Sequence, residues 1–310
     1  MEINLESVMV IGGCGLLGNH IVKHLLDITR NDEFRIAINR YKPNVIFNTA
    51  SPDPFTARKK VLEEVNITGA LLVVEEAIRH GVKALVHTSS SEVETWPIPE
   101  PQVSSYSETK KIGEQIILEA NDKGDLYPTA IRLCTLFGEG DMVLAKHILD
   151  IVQGASTTFI YAGNATEGHV LAAKKLLEMH QSKGPVPSNA RVKGEVFHMT
   201  NDDPWPFWDF SQLSRLRLDV RLWIKIYGLL QSVVVCFLVG IFEWIYWTVS
   251  LGGKLGITPQ MLRYTAMDRT FDISKTKERL GYRSRVHMEE CIKRGINWHR
   301  SNVSEEKKLS

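Results

Sequence analysis

A tyrosine and a lysine four residues apart, Tyr106 and Lys110, form the pattern in this chain with the clearest chemical use. On a helix such residues lie on the same face, so the ammonium of Lys110 can lie beside the phenol of Tyr106 and stabilise its phenolate form. An unperturbed tyrosine titrates near ~10, so a neighbouring cation is what lets it act as a base near neutral pH. The pair therefore predicts proton exchange with a hydroxyl group, as in hydride transfer at a secondary alcohol or ketone.

Two further motifs precede this pair and make it more specific. A glycine-rich turn, with Gly12, Gly15 and Gly18 spaced three apart, directly follows an apolar run near the start of the chain. This spacing suits a tight turn and the close approach of the backbone to a pyrophosphate. Ser90 lies in a hydroxyl cluster that ends a second apolar run, and a serine there can hold a substrate oxygen. The three signals, in this order, predict a dinucleotide-dependent oxidoreductase.

Strands that alternate with helices must position these residues. The predicted strands are Val8–Ile11, Asn44–Thr49, Ala84–Thr88, Tyr127–Leu133, Phe159–Tyr161 and Glu195–Met199, and the predicted helices include Lys59–Arg79, Ser105–Asn121 and Glu167–Met179. This alternation indicates an α/β fold, a Rossmann-like doubly wound parallel sheet with helices on both faces. Ligands of such sheets bind at the carboxyl ends of the strands. The glycine turn, Thr49 and Ser90 occupy such ends, so one crevice should contain them all.

The bulk composition narrows the class of protein. The 310 residues include 37 Lys and Arg against 36 Asp and Glu, which predicts no nucleic-acid partner. The four cysteines are scattered without a CxxC pair and indicate reduced thiols in an intracellular protein. The histidines show no spacing typical of metal ligands, so no metal is expected. The first residues lack the basic and apolar regions of a signal peptide.

One uncharged run, residues 226–242, departs from the pattern of a soluble protein, and its apolar character continues to about residue 251. A membrane-spanning helix needs ~20 mostly apolar residues, and tryptophans and tyrosines such as those that flank this run suit a membrane interface. We expect a membrane-associated segment that either spans the bilayer or lies flat on it; the alternative is a helix of the substrate region. The predicted organisation is a dinucleotide-binding domain (1–200), a linker (201–225), the hydrophobic segment (226–251) and a C-terminal substrate unit with a polar tail (252–310).

Several stretches together resemble the extended short-chain dehydrogenase/reductases, specifically their 3β-hydroxysteroid dehydrogenase branch, and within it the fungal sterol-4α-carboxylate 3-dehydrogenases (decarboxylating). The matching stretches cover most of the chain and include VIGGCGLLGNHIV, NTASPDPF, ALVHTSSSEV, YSETKKIGEQIILEAN, LFGEGD and RTFDISKTKERLGY. The resemblance implies oxidation of a 3β-hydroxyl on a sterol or triterpenoid-like substrate with NAD, or alternatively NADP, and possible loss of a C4 carboxylate. It also implies a protein of the endoplasmic reticulum membrane with a cytosolic catalytic domain, and a homodimer formed through two of the predicted helices.

The resemblance also assigns roles to individual residues. Tyr106 would be the general base, Lys110 would lower the Tyr106 pKa and bind the nicotinamide ribose, and Ser90 would hydrogen-bond the substrate oxygen, with Ser89 as the fallback. Thr49 and Ala50 would line the cofactor cleft. Asn66, in the run VNITG, matches a structural asparagine of the family that supports the site; alternatively it makes only a backbone contact within its helix.

The chain departs from the family between the glycine turn and the NTAS stretch, where few residues remain for two further strands. In one interpretation Arg35–Asn39 is a short strand, with Asp32 or Glu33 as the acid that holds the adenosine ribose. In the favoured interpretation Asp32–Tyr41 is a helix, and strands two and three are absent together with that acid. The chain would then be a divergent paralogue, a poorly folding product or the product of an incorrect gene model. The functional alternatives are a non-catalytic scaffold and a dehydrogenase of specialised terpenoid metabolism.

Overall fold

A computed structural model gives the fold of the chain. It describes residues 7–13, 15–22, 27–28, 31–54, 57–93, 105–141, 156–157, 159–182, 187–203, 205–206, 240–241, 244, 248 and 270–309. Backbone packing divides the chain into two units. The first comprises Met1–Leu136, Ile160–Asp202 and Phe271–Val286, and the second comprises Phe137–Phe159, Asp203–Thr270 and His287–Ser310. The domain boundaries drawn from the sequence stay predictions.

A six-stranded parallel sheet forms the centre of the first unit, with the strand order β2-β1-β3-β4-β5-β9. Its strands are β1 (Val8–Ile11), β2 (Asp27–Ile28), β3 (Val45–Asn48), β4 (Ala84–Ser90), β5 (Tyr127–Leu133) and β9 (Val196–Met199). The shorter strands are β6 (Thr135–Phe137), β7 (Ser156–Thr157), β8 (Phe159–Tyr161) and β10 (Trp205–Pro206), of which β7 and β10 pair antiparallel within the second unit. The predicted parallel α/β sheet is confirmed.

The helices follow the predicted alternation with the strands. They are α1 (Leu16–Val22), α2 (Asn31–Tyr41), α3 (Lys59–Glu63), α4 (Gly69–Arg79), α5 (Ser105–Glu119), α6 (Ala162–Gln181), α7 (Ser274–Leu280) and α8 (Met288–Leu309). A π-helical turn, Glu64–Thr68, joins α3 to α4, so the single helix predicted over Lys59–Arg79 is interrupted at its middle. Such turns often occur at functional sites in proteins.

The two faces of the sheet bury separate apolar layers, because successive side chains of a strand point to opposite sides. Val10, Phe47 and Val86 pack on one face with α1 and α6. Met9 and Leu85 pack on the other face with α2, α4 and α5. Both faces are therefore covered, as the near-continuous apolar strands of a parallel sheet require.

The segment that contains α7 lies near the C-terminal end of the sequence but belongs to the first unit, where it contacts the edge strand β9. The ammonium of Lys275 donates to the carbonyl of Val196 at 2.7 Å, and the hydroxyl of Tyr282 donates to the carbonyl of Thr200 at 3.0 Å. These contacts attach residues from near the C-terminus to the strand that closes the sheet. Part of the predicted C-terminal unit is therefore integral to the dinucleotide-type domain.

On the other side of β1 the sheet is short. Asp27–Ile28 pairs in parallel with Val10 and Ile11, and among the described residues it is the one strand beyond β1. Asn31–Tyr41 follows as a helix, so the strand proposed for Arg35–Asn39 is wrong. The physical reason is the helical spacing of Phe34 and Ile38, which α2 buries against the sheet. Asp32 and Glu33 therefore begin a helix, which is not where the ribose-binding acid of this fold lies.

The hydrophobic segment predicted at 226–251 lies outside the described residues, apart from four helical positions, Gly240, Ile241, Trp244 and Thr248. Ile241 and Trp244 have 41% and 67% of their surfaces exposed. Within the described ranges, no helix combines the length and the apolar character that crossing a bilayer requires.

Candidate active site

The glycine turn after β1 packs so closely against neighbouring backbone that two of its positions have no room for a side chain. Gly12 has a φ of +84°, and a Cβ there would lie 2.7 Å from the amide nitrogen of Ala50. A Cβ on Gly18 would overlap the carbonyl of Gly12, and the Gly15 amide donates to that same carbonyl at 3.0 Å. Gly12 and Gly18 are thus required for the local geometry. The turn fits the pyrophosphate of a dinucleotide at the start of α1.

Thr49 and Ala50 lie beside this turn, as the sequence predicts. The amide and hydroxyl of Thr49 both donate to the carbonyl of Ile11, at 2.9 and 2.8 Å. This double contact joins the carboxyl ends of β1 and β3. It places the backbone of Ala50 against Gly12 at the mouth of the crevice.

Lys110 is buried, with 2% of its surface exposed, and reaches from α5 to the end of β4. Its ammonium donates to the carbonyl of Thr88 at 2.7 Å. Burial lowers the Lys110 pKa to about 8, and the nearby carboxylate of Glu114 opposes this shift. The lysine is therefore held in a fixed position and is close to its titration point at mildly alkaline pH.

Tyr106 is half-buried one helical turn before Lys110. The hydroxyls of Ser51, which follows β3, and of Ser90, the last residue of β4, reach its phenol. Burial, and after it the carboxylate of Glu92, raise the pKa of Tyr106 to about 12, against hydrogen bonds from Ser51 and Ser90 that lower it. The Tyr106 pKa is thus raised in this structure and not lowered as the resemblance implied. The physical reason is that burial and Glu92 outweigh the two serine hydroxyls.

Ser90 and Ser89 take opposite sides of the sheet because they are adjacent on β4. The Ser90 hydroxyl contacts Tyr106 and also accepts a hydrogen bond from the amide of Glu92 at 3.2 Å. The Ser89 hydroxyl is buried without a hydrogen-bond partner among the described residues. The structure therefore brings Ser90, and not the fallback Ser89, to the phenol; its catalytic role stays a prediction.

Asn66 supports the helix that carries the predicted catalytic pair. It lies in the π-helical turn, and its side-chain amide donates to the hydroxyl of Thr109 at 3.0 Å. A Cβ on Gly113 would overlap the carbonyl of Asn66, so the glycine permits the close approach of α5. Of the two interpretations of Asn66, the structure shows a contact that reaches across to α5, beside Lys110.

Sequence reasoning missed a hydrogen-bond chain on the far side of β4. The Nδ1 of His169 lies 2.7 Å from the carbonyl of Ala165, and its Nε2 lies 2.9 Å from the hydroxyl of Thr88. Burial lowers the pKa of His169 to about 4, so the ring is neutral and the hydroxyl donates to it. Thr88, which accepts from Lys110 through its carbonyl, is thereby fixed from both faces of the sheet.

A buried ion pair lies one helical turn beyond Lys110. The guanidinium of Arg132 on β5 donates twice to the carboxylate of Glu114, at 2.9 and 2.7 Å. Glu114 is 4% and Arg132 16% exposed. Ser51 and this pair carried no distinct pattern in the sequence, since their role depends on contacts between distant segments.

Comparison with known proteins agrees with this arrangement. A family model described as "3-beta hydroxysteroid dehydrogenase/isomerase family" matches residues 27–224. The sterol-4-alpha-carboxylate 3-dehydrogenase (decarboxylating) of Saccharomyces cerevisiae is 30% identical over 95% of this chain and 98% of its own length.

The chain belongs to the 3-beta hydroxysteroid dehydrogenase/isomerase family. The predicted family is therefore confirmed, and with it the class of the protein, an oxidoreductase. A 3beta-hydroxysteroid-dehydrogenase/decarboxylase of Arabidopsis thaliana is 32% identical over 82% of this chain and 61% of its own length. The alignment with the yeast enzyme spans 354 positions, whereas this chain has 310 residues. At least 44 aligned positions of the yeast enzyme therefore have no counterpart in this chain.

Solved structures support the fold. A UDP-glucose-4-epimerase of Stenotrophomonas maltophila, solved with bound NAD, matches with a TM-score of 0.69 over 96% of this chain and 99% of its own. Its sequence identity is 14%, so the likeness concerns the fold alone. The UDP-glucose 4-epimerase of Thermotoga maritima matches similarly, with a TM-score of 0.65, 16% identity and coverage of 96% and 99%.

Proposed function

We propose that this family member oxidises the 3β-hydroxyl of a sterol or triterpenoid-like substrate with NAD or NADP, and that a C4 carboxylate on the substrate is lost after oxidation. Chemically, a ketone beside a carboxylate-bearing carbon makes a β-keto acid, which releases carbon dioxide readily. The names of the yeast and Arabidopsis relatives support both steps. A substrate of specialised terpenoid metabolism is the alternative within the same chemistry.

One observation carries the proposal: Ser90 contacts the Tyr106 phenol and Lys110 bonds the Thr88 carbonyl, both near the carboxyl end of β4, which is where ligands of parallel sheets bind. In the proposed reaction, Tyr106 accepts the hydroxyl proton and Ser90 holds the substrate oxygen. Lys110 supplies positive charge beside the crevice. When bound, the oxidised cofactor accepts the hydride and adds a further positive charge, which favours the phenolate of Tyr106. Gly12, Gly15, Gly18, Thr49 and Ala50 are the residues that would hold it.

The proposal is tested by substrate-dependent reduction of NAD and NADP, with a 4α-carboxysterol and a neutral 3β-hydroxysterol as substrates. Tyr106→Phe should abolish turnover without affecting the thermal stability or the affinity for NADH. Tyr41→Phe is the matched control, because Tyr41 is 58% exposed on α2, far along the chain from the motif, and should leave turnover unchanged. Normal activity in Tyr106→Phe would remove the tyrosine from the mechanism.

A second candidate function follows from the shortened sheet. If strands two and three of the family fold are absent, with the acid that holds the adenosine ribose, the chain acts as a binding or scaffold partner in a biosynthetic complex. The short β2 and the unmatched alignment positions favour this alternative. Calorimetric titration of the folded protein with NADH and NADPH separates the two: saturable binding supports the enzyme, and its absence supports the scaffold.

We further propose that the protein associates with the endoplasmic reticulum membrane through residues 226–251, with the catalytic domain on the cytosolic side. The support is the uncharged run 226–242 and the exposure of Ile241 and Trp244 beside it. Full-length protein should float with phospholipid vesicles in a density gradient. A variant in which three leucines or valines of 229–238 are replaced by lysine should stay in the aqueous fraction.

A homodimer through α4 and α5 is the remaining proposal on assembly. Leu71 on α4 and Ile112 on α5 are 45% and 36% exposed, so each helix offers apolar surface to a second copy of the chain. Light scattering of the purified protein should give twice the mass of the chain. Replacing both residues by glutamate should halve that mass if these helices form the interface.

A further inference from the structure

Two residues of β4 have buried polar atoms that the mechanism above does not use. His87 is 2% and Ser89 is 3% exposed. Neither ring nitrogen of His87 nor the hydroxyl of Ser89 has a hydrogen-bond partner among the described residues. Buried polar groups in folded proteins are nearly always hydrogen-bonded, to protein or to ordered water. Three such atoms on neighbouring positions therefore call for an explanation.

The alternation of the strand directs both side chains towards α5. Leu85, two positions earlier on the same face, packs with Ile117 of α5. Ser89 pairs in register with Arg132, whose guanidinium binds the carboxylate of Glu114 on α5. His87 and Ser89 consequently lie between β4 and α5, in the same layer from which Lys110 reaches the strand.

The titratable groups around His87 come from three elements. Burial lowers the pKa of His87 well below its usual value, and Lys110 from α5 and His169 from α6 lower it further. Glu114 of α5 and Arg132 of β5 neutralise each other in the same layer. His87 is therefore neutral, with one nitrogen that donates a hydrogen bond and one that accepts. Both functions need a partner that can do the opposite, and water can do both.

We propose that β4 and α5 enclose an internal water site lined by His87, Ser89 and Lys110, in which His87 is a positioning residue that holds the water against the ammonium. An internal water makes about three hydrogen bonds, and these three side chains supply that number. Lys110 has three N–H bonds, of which one is directed at the Thr88 carbonyl, so a second can reach the water. One water in this site satisfies a His87 nitrogen and the Ser89 hydroxyl together.

The water has a consequence for the reaction, which rests on the proposed function. It accepts a hydrogen bond from the ammonium and so favours the charged form of Lys110. Without His87 the water loses a partner, and the Lys110 pKa falls below its present value of about 8. Activity that needs the charged lysine would then decline at a lower pH.

Two measurements test the site on the full chain. A crystal structure that resolves ordered waters should show one within hydrogen-bond distance of a His87 nitrogen and of the Ser89 hydroxyl. In profiles of kcat against pH, His87→Phe should lower the pH at which kcat declines on the alkaline side by roughly one unit. At a fixed alkaline pH this shift is a roughly tenfold loss of kcat. His87→Gln, which can still donate and accept, should restore the limb. His180→Gln, which changes an α6 histidine bonded to the carbonyl of Asp125, is the matched control.

The outcomes separate this inference from the proposed function. If no substrate is turned over, the proposed function fails, and the crystal structure alone decides whether the water site exists. A dry site between His87 and Lys110 overturns the inference, whatever the activity. So does a His87→Phe profile that superimposes on that of the wild type. If His87→Phe does not fold, Ser89→Ala takes its place, since it removes another partner of the same water.

Discussion

Replacing Lys110 by methionine should stabilise the fold at neutral pH, although it removes a residue central to the proposed reaction. Burial lowers the Lys110 pKa from 10.5 to about 8. Each pKa unit corresponds to about 1.4 kcal/mol, so the charged lysine costs the folded state about 3 kcal/mol at neutral pH. Methionine has a similar length and carries no charge to desolvate. The lost hydrogen bond to the Thr88 carbonyl offsets about 1.5–3 kcal/mol of the gain.

The pH dependence of the stability difference between wild type and Lys110→Met is the sharper test, because the lost hydrogen bond to the Thr88 carbonyl does not enter that dependence. Below pH 8 the lysine is protonated in both the folded and the unfolded chain, and the full cost is present. As pH rises from 8 to 10.5, the folded chain releases the proton while the unfolded chain still binds it, so the wild type gains stability relative to Lys110→Met. The gain should total about 3 kcal/mol, with every other group cancelling in the difference.

The assay is urea unfolding of both proteins at a series of pH values that spans this window. Lys60→Met is the matched control, because the side chain of Lys60 is 85% exposed and its removal should give a difference that does not change with pH. A flat difference between wild type and Lys110→Met from pH 8 to 10.5 would falsify the burial argument, and with it the position assigned to the ammonium.

Three further changes probe the same site. Arg132→Met should cost about 3–5 kcal/mol in urea unfolding because it leaves the Glu114 carboxylate buried and unpaired, whereas the double variant Arg132→Met with Glu114→Met should recover most of that loss; equal losses in both would count against the pair. Glu92→Gln removes a negative charge that raises the Tyr106 pKa, so the ascending limb of the pH–kcat profile should move to lower pH by about one unit; an unmoved limb would show that the carboxylate does not act on the phenol. Gly18→Ala should abolish saturable NADH binding in calorimetry, because the added Cβ overlaps the backbone of the turn; unchanged affinity would place the cofactor elsewhere.

The sequence predicted the sheet and the meeting of its motifs because each depends on local pattern. Apolar runs, the glycine spacing and the Tyr106–Lys110 interval are all readable within one element, and the parallel topology places their ends at one edge. α2 shows the limit of such patterns. Phe34 and Ile38 are buried as a helical face requires, but Tyr41, which continues the same helical spacing, is 58% exposed at the end of the helix.

The remaining features of the site depend on contacts that no local pattern contains. Thr88 and His169 are 81 positions apart, and their hydrogen bond exists because α6 crosses the face of the sheet opposite α5. Ser51 follows β3 and reaches Tyr106 across the crevice. The raised pKa of Tyr106 has the same origin, since burial and the Glu92 carboxylate depend on the folded environment and outweigh the two serine hydroxyls.

The two halves of the crevice differ in the contacts that hold them, and this difference predicts which kinetic constant a defect would change. The half proposed for catalysis is held on both faces of β4, by Lys110 from α5 and His169 from α6. In the described residues, the cofactor half ends in a two-residue strand beyond β1. A chain that has lost only adenosine contacts would keep its kcat and show a weakened affinity for the dinucleotide. We therefore expect any defect of this family member to appear in the KM for NAD, while the arrangement around Tyr106 stays competent.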